Sequence, residues 1–249
     1  MCLAIVLCSQ QVTLGQSLYT KDLPSFTKVM ISSHINATLI KGDSNSIEVD
    51  YSNTDIDRLN IQVHGKTLKV YVDESKIWPK SQKIKTEGNK KKCAINKGVN
   101  VEVTIYYTVL NSIEKRGEED LICNSALYAK DFKLSLFGES TLVLDTLKCS
   151  KVKIRAFGEN DIEIKNGEFS TLKVSGFGEN SINTKNVKSE KIHSILFGEN
   201  KIKCYCEKLL RVSSFGESDF IWKGSGRLHR ILVFGENDFY NKEQTVNNL

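Results

Sequence analysis

Apolar and polar residues alternate with a period of two through the second half of this chain, and the pattern restarts about every 20 residues. Each restart carries Phe-Gly-Glu followed by Asn or Ser, beginning at Phe137, Phe157, Phe177, Phe197, Phe215 and Phe234. With the Phe as position 0, position +5 holds Leu142, Ile162, Ile182, Ile202, Phe220 and Phe239. Position −3 holds Leu134, Ile154, Val174, Ser194, Val212 and Ile231. Position −5 holds Phe132, Val152, Leu172, Ile192, Leu210 and His229. Position −1 holds Leu136, Ala156, Gly176, Leu196, Ser214 and Val233. Odd positions share one face of an extended chain, so the period predicts a half-buried strand. The even positions are mostly polar: position −4 is basic, from Lys133 and Lys153 to Arg230, and position +2 is always Glu. A helical period does not fit, and Gly at +1 would weaken a helix.

A unit of about 20 residues with such strands cannot bury its own apolar face. Stacking copies along the hydrogen-bonding direction, at ~4.8 Å per strand, buries a continuous core. The expected architecture is therefore all-β, a parallel solenoid with about 20 residues per coil. Gly at +1 suits a corner where φ is positive. The Asn or Ser at +3 faces inward by parity and would satisfy corner backbone groups. A decayed seventh copy, Arg116-Gly117-Glu118-Glu119-Asp120-Leu121, aligns with Phe157 to Ile162. The repeat region accordingly spans 100–240, with Val101, Val103 and Ile105 alternating into it.

The first 16 residues contain Cys2-Leu3-Ala4-Ile5-Val6-Leu7-Cys8. That apolar stretch is too short to span a membrane and matches the core of a secretory signal peptide, although the basic start is missing. The alternative is a buried first strand. Residues 17–99 form a β-rich N-terminal part. Val29, Ile31, Ile35, Leu39 and Ile40 precede a Gly42-Asp43 turn. Leu59, Ile61 and Val63 lead through Gly65-Lys66 to Leu68, Val70 and Val72. A Lys-rich loop occupies 73–99, and a polar tail occupies 241–249.

The net charge is +5, but basic residues are dispersed and the one dense cluster lies in the 73–99 loop, which argues against nucleic-acid binding. Cys93, Cys123, Cys149, Cys204 and Cys206 lie beyond the signal segment. Cys123 and Cys204 share inward position +7 but lie four coils apart, too far to bridge. Mostly buried free thiols are expected. No Cys/His pairing of zinc type and no cofactor motif is present.

Phe26 to Ser33 and Ala37-Thr38-Leu39-Ile40-Lys41-Gly42-Asp43 resemble the start of a bacterial family described as putative auto-transporter adhesin, head GIN domain. Ile61 to Val70 and Leu172 to Gly178 resemble its later motifs. The likeness covers nearly all of 25–240. It implies a right-handed parallel β-helix-like solenoid with a β-rich N-terminal cap. It also implies an exported protein, at the periplasm or cell surface of a bacterium, with envelope anchoring as an option. The family pattern carries Ser or another small residue where this chain has Phe, so the Phe-Gly-Glu face is a departure from it.

By parity Phe137, Phe157, Phe177, Phe197, Phe215 and Phe234 point outward, beside Glu139, Glu159, Glu179, Glu199, Glu217 and Glu236. An exposed aromatic column would mark an interface for a protein or glycan at the cell envelope, or for self-association. The alternative is a bulge at Gly that turns the rings into the core. Repulsion along the Glu column is relieved by solvent, by nearby basic residues or by a cation such as Ca²⁺, with solvated Glu preferred. Catalysis is not expected, because equivalent carboxylates repeat as structural positions do. The competing function is a glycan-processing β-helix enzyme, a lyase or hydrolase, which would need an irregular acidic cleft against the 73–99 loop.

Overall fold

A computed structural model describes residues 19–75, 81–86, 89–94 and 96–243. The signal segment and the end of the tail, as well as the Lys-rich side chains with Cys93, lie outside the described residues. The N-terminal part contains β1 (Tyr19–Asp22), β2 (Lys28–Ile31), β3 (Ile35–Lys41), β4 (Ser46–Ser52), β5 (Leu59–His64) and β6 (Thr67–Val72). Next come β7 (Ser81–Thr86), β8 (Asn89–Ala94), β9 (Val101–Tyr107) and β10 (Ser112–Gly117). The repeats form β11 (Leu121–Gly138), β12 (Thr141–Lys223), β13 (Arg227–Phe234) and β14 (Asn237–Asn241). The described residues are all-β apart from one 3-10 turn at Ile56–Arg58.

The strands build a curled open sheet. Its order runs β1-β4-β9-β3-β11-β10-β2-β6-β5, and β12 pairs with β11, β13 and β14. Strand β11 pairs in parallel with β12 so that Phe137 faces Phe157, Leu134 faces Ile154 and Gly138 faces Gly158. Arg116 and Gly117 face Phe137 and Gly138, so the decayed copy keeps the register. Strands β2 and β3 also join in parallel, against β10 and β11. Antiparallel partners close the N-terminal side: β4 on β9, and β5 on β6. Strands β7 and β8 pair only with each other.

Parity holds through the core. The +5 residues Leu142, Ile162, Ile182, Ile202 and Phe220 are fully buried. So are Phe132, Val152, Leu172, Ile192 and Leu210 at −5. Val101, Val103 and Ile105 are buried as the alternation predicts. Columns at a near-constant offset thus form one continuous apolar core.

The final copy departs from the sequence alignment. Strand β13 skips one residue between Val212 and Ser213, so Leu228 faces Leu210 and His229 faces Arg211. His229 therefore does not occupy the apolar −5 column. Ile231, counted at inward position −3, is the extra residue of the bulge and lies exposed. A 19-residue spacing needs such a bulge to bring Phe234 opposite Phe215. Tyr51 is likewise exposed, where the pairing of β4 with β9 shifts.

The +3 residues form a hydrogen-bonded ladder inside the corner. Asn160 Nδ2 donates to Asn180 Oδ1 at 3.0 Å, and Asn180 Nδ2 donates to Asn200 Oδ1 at 3.2 Å. Ser140 Oγ donates to Asn160 Oδ1 at 3.2 Å. Asn160 and Asn200 also donate to the carbonyls of Phe157 and Phe197. The ladder fixes the corner whose outer side carries Phe and Glu.

The decayed copy breaks the pattern in one informative way. Lys115 stands at inward position −1 and its side chain is fully buried. Its Nζ donates to the Arg116 carbonyl at 2.8 Å and to Glu119 Oε2 at 3.0 Å. Glu119 occupies the Asn/Ser position and accepts from the His34 backbone N–H at 2.5 Å. Burial pushes the Lys115 ammonium below the ordinary lysine range, with Glu119 opposing that shift. Between the lowered folded pKa and the ordinary unfolded value, the unfolded chain binds more protons. Stability should therefore rise with pH across that window, which ends near the ordinary lysine value of ~10.4. Urea titrations of wild type and of Lys115→Leu/Glu119→Asn are expected to differ by this slope. Lys115→Leu alone should cost ~2–4 kcal/mol, because it leaves Glu119 without its cation. The double variant restores the repeat pattern and should recover most of that loss. A single variant as stable as the double would contradict the paired role.

Candidate functional site

The Phe rings lie outside the core. Phe137, Phe157, Phe177 and Phe215 are half-buried, while Phe197 and Phe234 are exposed at 39% and 59%. The inward turn allowed by a Gly bulge does not occur. Gly158, Gly178, Gly198 and Gly216 do have positive φ, yet Phe keeps its outward parity. Successive rings stack instead, with centroids 5.2, 4.8, 5.1, 4.8 and 5.5 Å apart. Their planes diverge by 2° to 18°. The strand spacing sets this distance, and nearly parallel rings at that separation are offset-stacked. Ring faces are consumed by neighbours, and ring edges form a continuous apolar ridge.

Both ends of the ridge differ from its middle. Arg116 takes the place of Phe in the decayed copy, and its guanidinium lies 5.2 Å from the Phe137 centroid. Glu114 accepts from Arg116 Nε at 2.8 Å and holds that plane in position. A planar cation thus extends the ladder by one step. The sequence signal was available, since Arg116 aligns with the Phe column. At the other end Arg230 lies 4.4 Å from the centroid of Phe239, which itself stacks 5.4 Å from Phe220. Arg230 therefore covers part of the last core position, a role the repeat pattern did not announce.

The six Glu at +2 are all exposed. Five of them, all but Glu139, line a trough of about 540 Å³ with their neighbours at +4. Its walls include Glu159, Glu179, Glu199, Glu217 and Glu236 as well as Asp161, Asp219 and Asp238. Lys201 is the one basic residue of the lining, and it pairs with Asp219 at 3.6 Å. Across the ridge lies the basic column Lys133, Lys153, Lys173, His193 and Arg211; the bulge in β13 sets His229 opposite Arg211 and moves Arg230, counted at −4, opposite Val212. Arg155 above all, with Lys133 and Lys173, holds the Lys153 ammonium below its ordinary range. Partial burial, reinforced by Arg211, does the same to His193. Among the described residues no ion pair joins the Glu column to the basic column. The surface thus runs basic, aromatic, acidic, with no ion pair between the two flanks among the described residues.

Among the described residues no group of three or more His, Cys, Asp or Glu converges to hold a metal ion. Cys123, Cys149, Cys204 and Cys206 are free thiols. Burial raises all four, Cys149 to about 12, which removes thiolate character. The acidic trough offers carboxylates in an equivalent repeat, not the asymmetric pair that hydrolysis or elimination requires. No helix among the described residues is long and apolar enough to cross a membrane.

The family model described as putative auto-transporter adhesin, head GIN domain, matches residues 25–226. The chain belongs to this family. Solved structures agree with it in fold. A putative adhesin from Bacteroides fragilis NCTC 9343 is 16% identical, with a TM-score of 0.74 over 90% of this chain and 95% of that one. A putative adhesin from Parabacteroides merdae ATCC 43184 is 14% identical, with a TM-score of 0.62 over 89% and 95%. A putative lipid binding protein from Parabacteroides distasonis ATCC 8503 is 15% identical, with a TM-score of 0.55 over 89% and 96%. These identities carry the GIN-domain fold and nothing finer. No curated protein matches the chain.

Proposed function

We propose that this GIN-domain chain is an exported, non-enzymatic, adhesin-like protein whose Phe/Glu face binds a macromolecular partner at a bacterial envelope or surface. On this reading the repeats wind as coils of a right-handed parallel β-helix, with the N-terminal strands as its cap. The 20-residue register and the hydrogen-bonded Asn column support the coils. The observation that carries the function is the aromatic ladder held outside the core, between a basic and an acidic flank. A ladder needed only for packing would be buried.

The ring geometry also bears on the kind of contact. Sugars stack on ring faces, and interior faces here are taken by adjacent rings. A protein surface laid along the apolar edges fits better than a glycan chain. Phe177→Ser/Phe197→Ser tests the reading. It removes three stacking contacts at ~0.5–1.5 kcal/mol each, so the melting temperature should fall. The far-UV circular dichroism should stay that of a β protein. Binding to immobilised bacterial envelope preparations should drop at least tenfold by surface plasmon resonance. Unchanged binding, or loss of the fold, would overturn the proposal.

A further inference from the structure

We infer that the partner of the Phe/Glu face is a second copy of this chain, laid side by side and pointing the same way. The inference rests on the binding-face reading above and supplies its partner.

Charge order selects both occupant and orientation. The five repeats from Phe137 to Phe215 present base at −4, Phe at 0 and acid at +2, each set at one height on the stack. A two-fold axis along the stacking direction brings two such faces together with left and right exchanged. The basic column of one copy then meets the acidic column of the other, coil for coil. Lys153 stands opposite Glu159 of the second copy, and Lys173 opposite Glu179. A two-fold axis across the stack would instead set base against base and acid against acid. Like charges facing one another are repulsive, so the antiparallel arrangement is rejected.

The pitch matches automatically. Both ladders repeat at the strand spacing, with ring centroids 4.8–5.5 Å apart, so no partner with another period fits six steps in register. Ridge edges meet ridge edges and exclude water between the charged flanks. The contact is isologous, as a closed two-fold dimer requires. Its extent is limited. Five ring steps give a length of roughly 25 Å, and a similar width gives about 600 Å² per copy. That lies below the ~800 Å² per partner of typical stable interfaces, so dissociation in the micromolar range, on the order of 10–100 µM, is expected.

Sedimentation equilibrium on the full chain is the test, at loading concentrations spanning this range and at low and high salt. The expected result is a monomer–dimer equilibrium weakened at least tenfold by high salt. Lys153→Glu/Lys173→Glu/Arg211→Glu makes both flanks acidic and should be monomeric. Glu159→Lys/Glu179→Lys/Glu217→Lys sets Lys against the facing basic residues and should be monomeric too. An equimolar mixture of the two variants should restore a heterodimer, which misfolding could not produce. Phe137→Cys should crosslink to its own copy with a short bis-maleimide, whereas an antiparallel pair would join position 137 to position 234. A monomeric wild type, a dimer indifferent to both reversals, or a mixture that stays monomeric would overturn the inference. If the wild type is monomeric while Phe177→Ser/Phe197→Ser still loses envelope binding, self-pairing fails and the binding-face reading stands.

Discussion

Gly178→Ala is expected to cost about 4 kcal/mol, a large share of the ~5–15 kcal/mol that stabilises an ordinary domain. Two effects combine at this residue. Its φ is +105°, beyond the range that side-chain-bearing residues adopt readily. An added Cβ would also overlap the Gly158 carbonyl of the preceding copy. The obstacle is backbone, so no rotamer change relieves it. The same overlap recurs between Gly158 and Gly138, and between Gly235 and Gly216. This explains the glycine in every copy: the corners stack so closely that only hydrogen fits between them. Gly65→Ala is the control, since Gly65 has φ +59° and nothing within 4 Å of an added Cβ. That change should cost only ~1 kcal/mol. Urea denaturation of both variants separates conformational strain from close approach. Equal losses would show that the corner stacking contributes nothing.

Asn180→Ala should cost ~2–4 kcal/mol by the same measurement. Asn180 is buried and both accepts from Asn160 and donates to Asn200. Truncation leaves a donor and an acceptor unpaired in the interior, and each orphan carries its own desolvation penalty. Asn180→Ser should lose less. Ser140 and Ser218 occupy the equivalent position, and Ser140 bonds to Asn160 there. If Ser is no better than Ala at position 180, the column owes its residues to shape and not to hydrogen bonding.

Much of the fold was legible because identical neighbours make columns out of a linear pattern. Ile162, Ile182 and Ile202 are buried for the reason their parity implies. Asn160 and Asn180 lie inward at the corner as expected. Arg116-Gly117 in the decayed copy keeps the corner register with Phe137-Gly138. The errors fall where the spacing departs from 20. Counting back from Phe234 puts His229 and Ile231 on the inner face, and the bulge in β13 moves both. A one-residue insertion reverses every side chain on one side of it, so counting alone cannot place it.

The candidate site was legible in part. Alternation put Phe and Glu outward, and so they lie. The trough, the guanidinium of Arg116 over Phe137 and the buried Lys115–Glu119 pair were not visible. Each arises where a side chain meets a neighbour from another element or an irregular copy. His34 reaches Glu119 across 85 residues, and no local pattern encodes that approach.

The sequence by itself determined the strand period, the stacking register of about 20 residues and, before the final copy, the side of the sheet on which the repeated residues stand. Those properties follow from backbone geometry and from the need to bury apolar side chains. Tertiary structure alone decided how the outward rings meet and how the charged flanks lie beside them. It also decided the strand order at the N-terminal side, where β3 lies between β9 and β11. The reason is physical: alternation constrains the face of a strand, whereas neighbour choice depends on packing across long stretches of chain.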